Sequence, residues 1–206
     1  MIDLLVATTN PGKFAEVKAF LSQLPVRVLS IDDLKSAPTV TEDGATFAEN
    51  ALKKARTLAD FSGMLTLADD SGLEVDALNG APGIYSARYC GEGGNDDKNN
   101  EKLLRELENV AENMRSARFV CALALCAPKS LGIKDWTVSE SCEGWIALVR
   151  RGSNGFGYDP LFFYPPFGKT FGEIDRETKA TVSHRGKALK RLAEALASLV
   201  DFESKP

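Results

Sequence analysis

The chain has 206 residues, of which 25 are basic and 29 are acidic, so its formal net charge is −4 at pH 7. This length suits one domain that buries its own core, and a composition of 44% hydrophobic and 26% charged residues excludes disordered and fibrous classes. The mild acidity argues against a general nucleic-acid-binding role, because neutralising phosphates needs a concentrated basic face.

Strands and helices are predicted to alternate in the first third of the chain. An apolar strand over residues 2–8 is followed by a polar turn, where Asn10 suits a helix N-cap and Pro11 the first helical position. That helix is expected to end near Leu24, before a short strand over residues 26–31. Strand followed by helix is the usual opening of an α/β fold.

The next elements place charged residues at predicted element ends. Thr46 and Glu49 have the spacing of a capping box at the start of a helix. A third strand, residues 64–68, is predicted to end at Asp69 and Asp70. Later elements are expected as a helix over 99–108, a hairpin of strands 117–127 and 136–149, a short strand over 161–164, and a final helix from 184 to about 200.

Neither a membrane span nor a zinc site is predicted. The longest apolar run, residues 119–127, is far shorter than the roughly 20 residues that cross a bilayer. The N-terminus has no basic region or cleavage site of a signal peptide, so we expect a cytoplasmic protein without a membrane partner. The four cysteines lack C-x-x-C spacing, which favours buried or incidental thiols over metal ligands.

Two motifs suit an anionic ligand and a cation. The turn from Thr8 through Thr9 and Asn10 to Lys13 would place helix N–H groups and an ammonium near an anion, and the alternative is a plain capped helix start. It is not a Walker A loop, because the required glycine spacing is absent. Asp69 and Asp70 offer oxygen ligands for Mg²⁺, and the alternative is a turn capped by both carboxylates.

The helix after Thr46 carries two adjacent lysines with different predicted roles. Helical geometry puts Lys54 at the margin of the apolar stripe, where it can face an interior anion. Lys53 points nearly opposite and is expected to be solvated and paired with Glu49.

Two further motifs suit a nucleobase. Phe156, Gly157, Tyr158 and Asp159 combine aromatic faces for stacking with a carboxylate that can accept from ring N–H groups. Ser183 is a plausible N-cap for a helix that begins with His184 and Arg185, and Lys179 precedes it. The alternatives are a loop whose aromatics pack on the core and a histidine with a structural role.

Taken together, these motifs resemble the inosine triphosphate pyrophosphatase family, also called Ham1-like or non-standard purine nucleoside triphosphate pyrophosphatases. Seven segments carry the resemblance across nearly the whole chain: residues 8–13, 42–44, 46–51, 68–72, 80–88, 156–159 and 183–185. The resemblance implies a single domain over residues 1–206, with an α/β fold in which a long mixed central sheet with flanking helices is bent between two lobes around a nucleotide cleft.

The same resemblance implies an activity and its residues. The expected reaction is Mg²⁺-dependent hydrolysis of ITP, dITP, XTP or dXTP to the monophosphate and pyrophosphate by a homodimer that cleanses the nucleotide pool. It implies that Asp70 is the proton acceptor and a metal ligand, and that Glu42 is a second metal ligand. The residues expected to bind substrate are Thr8, Thr9, Asn10, Lys13, Lys54, Ser71, Phe156, Gly157, Tyr158, Asp159, Lys179, His184 and Arg185.

Two alternatives to this reading are open at the level of sequence. A related Maf-like pyrophosphatase would share the general architecture but act on other modified nucleotides, including pyrimidines. A catalytically silent nucleotide-binding module would keep Phe156 and Arg185 but would need no metal carboxylates.

Overall fold

The computed structural model describes residues 2–22, 24–91 and 94–203, with side chains up to residue 197. It contains a seven-stranded sheet in the order β2-β1-β3-β4-β5-β6-β7. The strands are β1 (Ile2–Ala7), β2 (Val26–Ser30), β3 (Leu65–Val75), β4 (Ser116–Cys126), β5 (Trp136–Ile146), β6 (Phe162–Tyr164) and β7 (Lys169–Thr170). The helices are α1 (Pro11–Leu21), α2 (Phe47–Ser62), α3 (Asp96–Glu106), α4 (Arg176–Val182) and α5 (His184–Glu203).

The sheet is mixed, as expected. β1 pairs in parallel with both β2 and β3, whereas β6 pairs antiparallel with β5 and β7. None of the helices in the described ranges combines the length and apolar character needed to cross a bilayer.

The chain divides into two compact units. The first comprises Met1–Asp70, Ala122–Glu140 and Lys187–Pro206. Its β1 buries the four residues from Leu4 to Ala7, and α2 contacts β1. The apolar face of α2 is buried because its hydrophobic side chains recur at helical spacing, at Phe47, Ala51, Ala55, Leu58 and Ala59.

The second unit comprises Ser71–Cys121 and Ser141–Gly186 and has its own hydrophobic cluster. Aromatic rings dominate that cluster: Phe119 lies 4.5 Å from Phe162, and Phe162 lies 4.9 Å from Phe171, between ring centroids. Leu103 and Leu107 add the buried face and C-terminal end of α3 to the same cluster. A packed core of this kind gives the loops of the unit a rigid base.

The prediction that β3 ends at the two aspartates is wrong. β3 extends to Val75, so Asp69 and Asp70 lie inside a strand and the capped-turn alternative fails. β3 lies between β1 and β4 in the sheet, and tertiary contacts commonly offset the low strand propensity of aspartate at such buried positions.

Several element boundaries also differ from the sequence predictions. α1 ends at Leu21 rather than near Leu24, and β5 ends at Ile146 rather than at residue 149. α3 begins at Asp96, three residues early, because Asn95 caps it by accepting a hydrogen bond from Lys98 N–H at 2.9 Å. β7 and α4 were not predicted, since both are too short to show a hydrophobic period.

Candidate active site

The turn from β1 into α1 has the predicted cap geometry. The Asn10 side chain accepts a hydrogen bond from Lys13 N–H at 3.0 Å, and Thr8 Oγ1 accepts from Asn10 N–H at 3.2 Å. Thr9 and Asn10 are exposed. The Lys13 ammonium lies 2.6 Å from Asp69 Oδ1, so the first turn of α1 directs this lysine toward β3.

Lys54 faces inward, as its helical position predicts. Its ammonium forms an ion pair with Glu42 and donates a hydrogen bond to the Asp69 carbonyl at 3.3 Å. Lys13 and Lys54 therefore reach the same strand residue, one at its side chain and one at its carbonyl. Two cations held beside one strand are a suitable arrangement for a polyanionic ligand.

The expected pairing of Lys53 with Glu49 is wrong. Lys53 lies 2.5 Å from Asp43 instead. Glu49 is engaged elsewhere, because its Oε2 accepts from Ala45 N–H at 2.7 Å while its own N–H donates to Thr46 Oγ1 at 3.1 Å. The capping box is thus half formed. The Glu49 carboxylate accepts from the N–H of Ala45, the residue before the N-cap, and not from the N–H of Thr46 itself.

Asp70 is a buried carboxylate, 6% exposed, among charged neighbours. Its Oδ2 has no hydrogen-bond partner in the part of the chain that the structure describes. Burial raises the pKa of Asp70, the ammonium of Lys13 opposes that rise, and the Glu42 carboxylate adds to it. A buried oxygen that no protein group satisfies is a candidate for binding a cation, water or substrate.

Asn50, on α2, is a polar residue of this site that the sequence reasoning missed. It is 1% exposed, and its Oδ1 accepts a hydrogen bond from Gly44 N–H at 2.8 Å. The Asn50 amide also lies beside Asp70 and favours a lower pKa for that carboxyl group. Asn50 follows Phe47 by three residues and therefore falls among the buried positions of an amphipathic helix. A polar amide at such a position is the sequence feature that points to a role in the site.

The residues Lys13, Glu42, Lys54, Asp69 and Asp70 form what we call the carboxylate–lysine cluster. Within the described ranges, no group of three or more histidine, cysteine, aspartate or glutamate side chains is arranged to enclose a metal ion. Mg²⁺ does not need such a cage, because it is commonly bound by one or two carboxylates, waters and substrate phosphates. The open Oδ2 of Asp70, close to Glu42, fits that mode.

The loop that carries Phe156 is organised around Asp159. This carboxylate is 2% exposed, accepts from Phe156 N–H at 2.9 Å, and lies 2.5 Å from the buried ammonium of Lys179. Lys179 in turn lies 4.9 Å from the centroid of the Phe156 ring and 5.6 Å from that of Phe171. The predicted neighbours Phe156, Asp159 and Lys179 are therefore brought together.

Arg185 joins the same group from the start of α5. It is 2% exposed, donates to Ser71 Oγ at 2.8 Å, and places its guanidinium carbon 5.7 Å from the Phe156 centroid. The predicted cap is present, because Ser183 Oγ accepts from Gly186 N–H at 3.1 Å. We call Ser71, Phe156, Asp159, Lys179 and Arg185 the Phe156 cluster.

His184 and Tyr158 lie deeper, against the core of the second unit. The His184 ring stacks on Phe119 with 4.7 Å between centroids and 15° between planes. Tyr158 is 4% exposed, and its hydroxyl donates to the Ser86 carbonyl at 2.9 Å. Burial raises the pKa of the Tyr158 hydroxyl, which keeps it protonated as a donor. Gly157 has a φ of 61°, in the left-handed region.

The chain matches known proteins over most of its length. It is 52% identical over 196 residues to a protein from Geobacter sulfurreducens named dITP/XTP pyrophosphatase, covering 95% of this chain and 97% of that relative. A HAM1 protein structure from Coxiella burnetii is similar with a TM-score of 0.87 and 39% identity, covering 96% of this chain and 100% of that one. The Staphylococcus aureus Ham1 structure gives a TM-score of 0.84 at 39% identity, covering 95% and 98%.

The family model that matches is described as the Ham1 family, and it matches residues 4–195. That range includes both the carboxylate–lysine cluster and the Phe156 cluster. On this match and on the relatives above, the chain belongs to the Ham1 family.

Proposed function

We propose that this protein hydrolyses the non-canonical purine nucleoside triphosphates ITP, dITP, XTP and dXTP to the monophosphate and pyrophosphate. The observation that carries the proposal is the buried Asp70 carboxylate, with one unsatisfied oxygen, among Lys13, Lys54 and Glu42. The relative from Geobacter sulfurreducens, named dITP/XTP pyrophosphatase, supports the same reaction. The role is removal of these nucleotides from the pool, which we propose takes place in the cytoplasm, where nucleic-acid precursors are used.

In this proposal the carboxylate–lysine cluster binds the triphosphate. Lys13 and Lys54, held beside Asp69 in the described structure, exchange part of their carboxylate contacts for phosphate oxygens. The hydroxyls of Thr8 and Thr9 and the side-chain amide of Asn10 add donors at the start of α1. Negative charge that builds on the departing pyrophosphate is then stabilised by two fixed ammonium groups.

Asp70 is proposed to act on the attacking water. The water oxygen forms a bond to the α-phosphorus, the bond from that phosphorus to the bridging oxygen of the pyrophosphate breaks, and the water proton passes to Asp70. Asp70 must be ionised to accept that proton, and burial, which raises the pKa of this carboxyl group, makes its ionised form a stronger base.

Mg²⁺ is the proposed cofactor, with Glu42 and Asp70 as its protein ligands. When bound, it would neutralise phosphate charge and lower the pKa of a coordinated water. The carboxylate–lysine cluster carries three carboxylates and two ammonium groups, so its net charge favours a cation before the substrate arrives.

The Phe156 cluster is proposed to bind the purine. Phe156 offers a ring for stacking, and Asp159 offers an acceptor for base N–H groups. Lys179, Arg185 and His184 supply donors, and hypoxanthine and xanthine carry a carbonyl acceptor at position 6 where adenine carries an amino donor. Adenine would leave those buried donors unsatisfied, which is the physical basis for rejecting ATP.

The substrate panel is the first test. Pyrophosphate release is measured from dITP, XTP, dUTP, dTTP and dGTP at equal concentration with Mg²⁺. We expect dITP and XTP to be cleaved fastest, because both carry the 6-carbonyl and lack the 2-amino group of guanine. Preference for dUTP or dTTP would contradict the substrate assignment.

The role of Asp70 is tested by Asp70→Asn, which keeps the shape but cannot accept a proton. We expect turnover of dITP to fall at least ~10²-fold, the usual scale for losing a general base, while ITP binding is retained in calorimetry. Asp43→Asn is the matched control, since Asp43 is an exposed carboxylate, next to Glu42 in the sequence, that pairs with Lys53. Turnover of Asp70→Asn near that of wild type would remove Asp70 from the mechanism.

We also propose that the protein is a homodimer, as the family resemblance implies.

A further inference from the structure

One helix outside the Phe156 cluster holds both polar backbone groups of Gly157. The Asp96 carboxylate, in the first turn of α3, accepts a hydrogen bond from Gly157 N–H at 2.7 Å. The Asn100 amide, one turn later, donates to the Gly157 carbonyl at 2.8 Å and to the Asp96 carbonyl at 2.7 Å. The spacing of four residues puts both side chains on one face of the helix.

Gly157 lies in the chain between Phe156 and Asp159, the two residues proposed to contact the base. Gly157 directly follows Phe156 and precedes Asp159 by two residues. Gly155 and Gly157 have φ angles of 74° and 61°, so two of three consecutive residues are in the left-handed region. Glycine loses the most conformational freedom on ordering, so such a loop keeps one conformation only if neighbouring groups fix it.

Hydrogen bonds to the rest of the second unit hold α3 in place, so the helix can fix the position of the loop that contains Gly157. Asn99 is buried, and its amide donates to the carbonyls of Ser86 and Ala87, both at 3.3 Å. Beyond the C-terminal end of the helix, the buried Arg115 guanidinium donates to the carbonyls of Leu107 at 2.6 Å and Val110 at 3.0 Å. Both ends of α3 are thereby tied to the second unit.

We infer that Asp96 and Asn100 are positioning residues for purine recognition, which fix the peptide of Gly157 so that Phe156 and Asp159 are held in place for the base. The inference rests on the proposed function. In this role neither side chain contacts the nucleotide. Their loss should therefore weaken base-dependent binding and discrimination, while binding of the phosphates alone, at the carboxylate–lysine cluster, is unaffected.

Asp96→Ala is the primary test variant, because Asp96 is exposed and its loss leaves no buried charge. Asp96→Asn keeps an oxygen that can accept from Gly157 N–H and serves as the conservative variant. Asn100→Leu is the second test variant. Asn100 is fully buried, and leucine cannot donate the hydrogen bond to the Gly157 carbonyl. Asn95→Ala is the matched control, since it weakens the cap of the same helix without reaching Gly157.

Three quantities are measured for each full-length variant: KM and kcat for dITP, the ratio of kcat/KM for dITP over dATP, and the inhibition constant of inorganic tripolyphosphate, which lacks a base. For Asp96→Ala we expect KM for dITP to rise about tenfold, which corresponds to about 1.4 kcal/mol, and the dITP/dATP ratio to fall similarly. Tripolyphosphate inhibition should stay within twofold of wild type. Asp96→Asn should restore most of the loss.

The inference is overturned if Asp96→Ala leaves KM and the dITP/dATP ratio unchanged, or if Asn95→Ala changes them as much at an equal drop in melting temperature. Parallel loss of dITP and tripolyphosphate binding would also overturn it, since that pattern indicates a general structural role. A wild-type protein that releases no pyrophosphate from dITP would instead refute the proposed function. The ratio of ITP to tripolyphosphate affinity, measured by calorimetry in wild type and Asp96→Ala, would then still decide the role of Asp96.

Discussion

Asp70 illustrates how a functional side chain differs from a stabilising one. Its carboxylate is buried, has an oxygen without a partner in the described part of the chain, and has a raised pKa. A raised pKa means that the folded state prefers the protonated acid, so the ionised form costs stability at neutral pH. The residue that we propose as the base is thus a destabilising element that function maintains.

This argument predicts that Asp70→Asn raises the melting temperature of the metal-free protein at pH 7. An amide carries no charge to desolvate, and in a chain of this size each kcal/mol gained raises the melting temperature by about 2–4 °C. Wild type and variant are compared by thermal denaturation in EDTA. An equal or lower melting temperature for the variant would contradict the burial argument.

The sign of the pH dependence follows from the same shift. Because the folded pKa exceeds the unfolded one, the unfavourable contribution of Asp70 is present above the raised folded pKa. It decreases as pH falls through that value and is absent below the ordinary aspartate range. The difference in melting temperature between Asp70→Asn and wild type should therefore shrink as the pH is lowered from 7 toward 4.

In the loop before β6, adding one Cβ atom has different consequences at two glycines that lie two residues apart. A Cβ at Gly155 would overlap the Asp159 carboxylate, whereas a Cβ at Gly157 would meet no atom within 4 Å. Both residues have positive φ, so an alanine is strained at either position by a similar amount. The two glycines differ mainly in their closeness to Asp159.

Gly155→Ala is therefore predicted to raise KM for dITP by at least about tenfold, since displacing Asp159 disturbs its bonds to Phe156 and Lys179. Gly157→Ala, the matched variant, carries similar backbone strain without the overlap, so it should lower the melting temperature no more than Gly155→Ala does and change KM less. Steady-state kinetics and thermal denaturation of both variants make the comparison. Equal KM values for the two variants would exclude the overlap as the cause.

At the scale of the whole molecule, catalysis and folding are predicted to differ in their need for metal. In the described ranges no group of three or more potential ligands encloses a cation, and Lys13 and Lys54 are already paired with Asp69 and Glu42. Both lysines therefore have protein counter-ions, and we expect the fold to form without a divalent ion. EDTA should abolish pyrophosphate release from dITP, and added Mg²⁺ should restore it.

The same treatment should leave the far-UV circular dichroism spectrum unchanged. Loss of that signal in EDTA would show a structural metal, and full activity in EDTA would remove Mg²⁺ from the proposed function. Mg²⁺ with Ca²⁺ as a comparison adds a control, because Ca²⁺ prefers more ligands at longer distances.

The alternation of elements in the first third of the chain and the chemistry of the candidate residues follow from the amino-acid sequence alone. Asn10 and Pro11 fixed the start of α1, because capping and the missing N–H of proline are local effects. The inward position of Lys54 followed from helical periodicity alone. The order of the motifs along the chain is sufficient to indicate the family.

The grouping of those residues, in contrast, depends on contacts that form only in the folded chain. The extension of β3 through Asp69 and Asp70 depends on pairing with strands distant in sequence, which no local propensity encodes. Three other contacts likewise form only on folding. They are the ion pair of Lys53 with Asp43, the contact of Asn50 with Asp70, and the hydrogen bond from Asn100 on α3 to Gly157. Hydrogen bonds and ion pairs act over a few ångströms of space, whereas a sequence orders residues only along the chain.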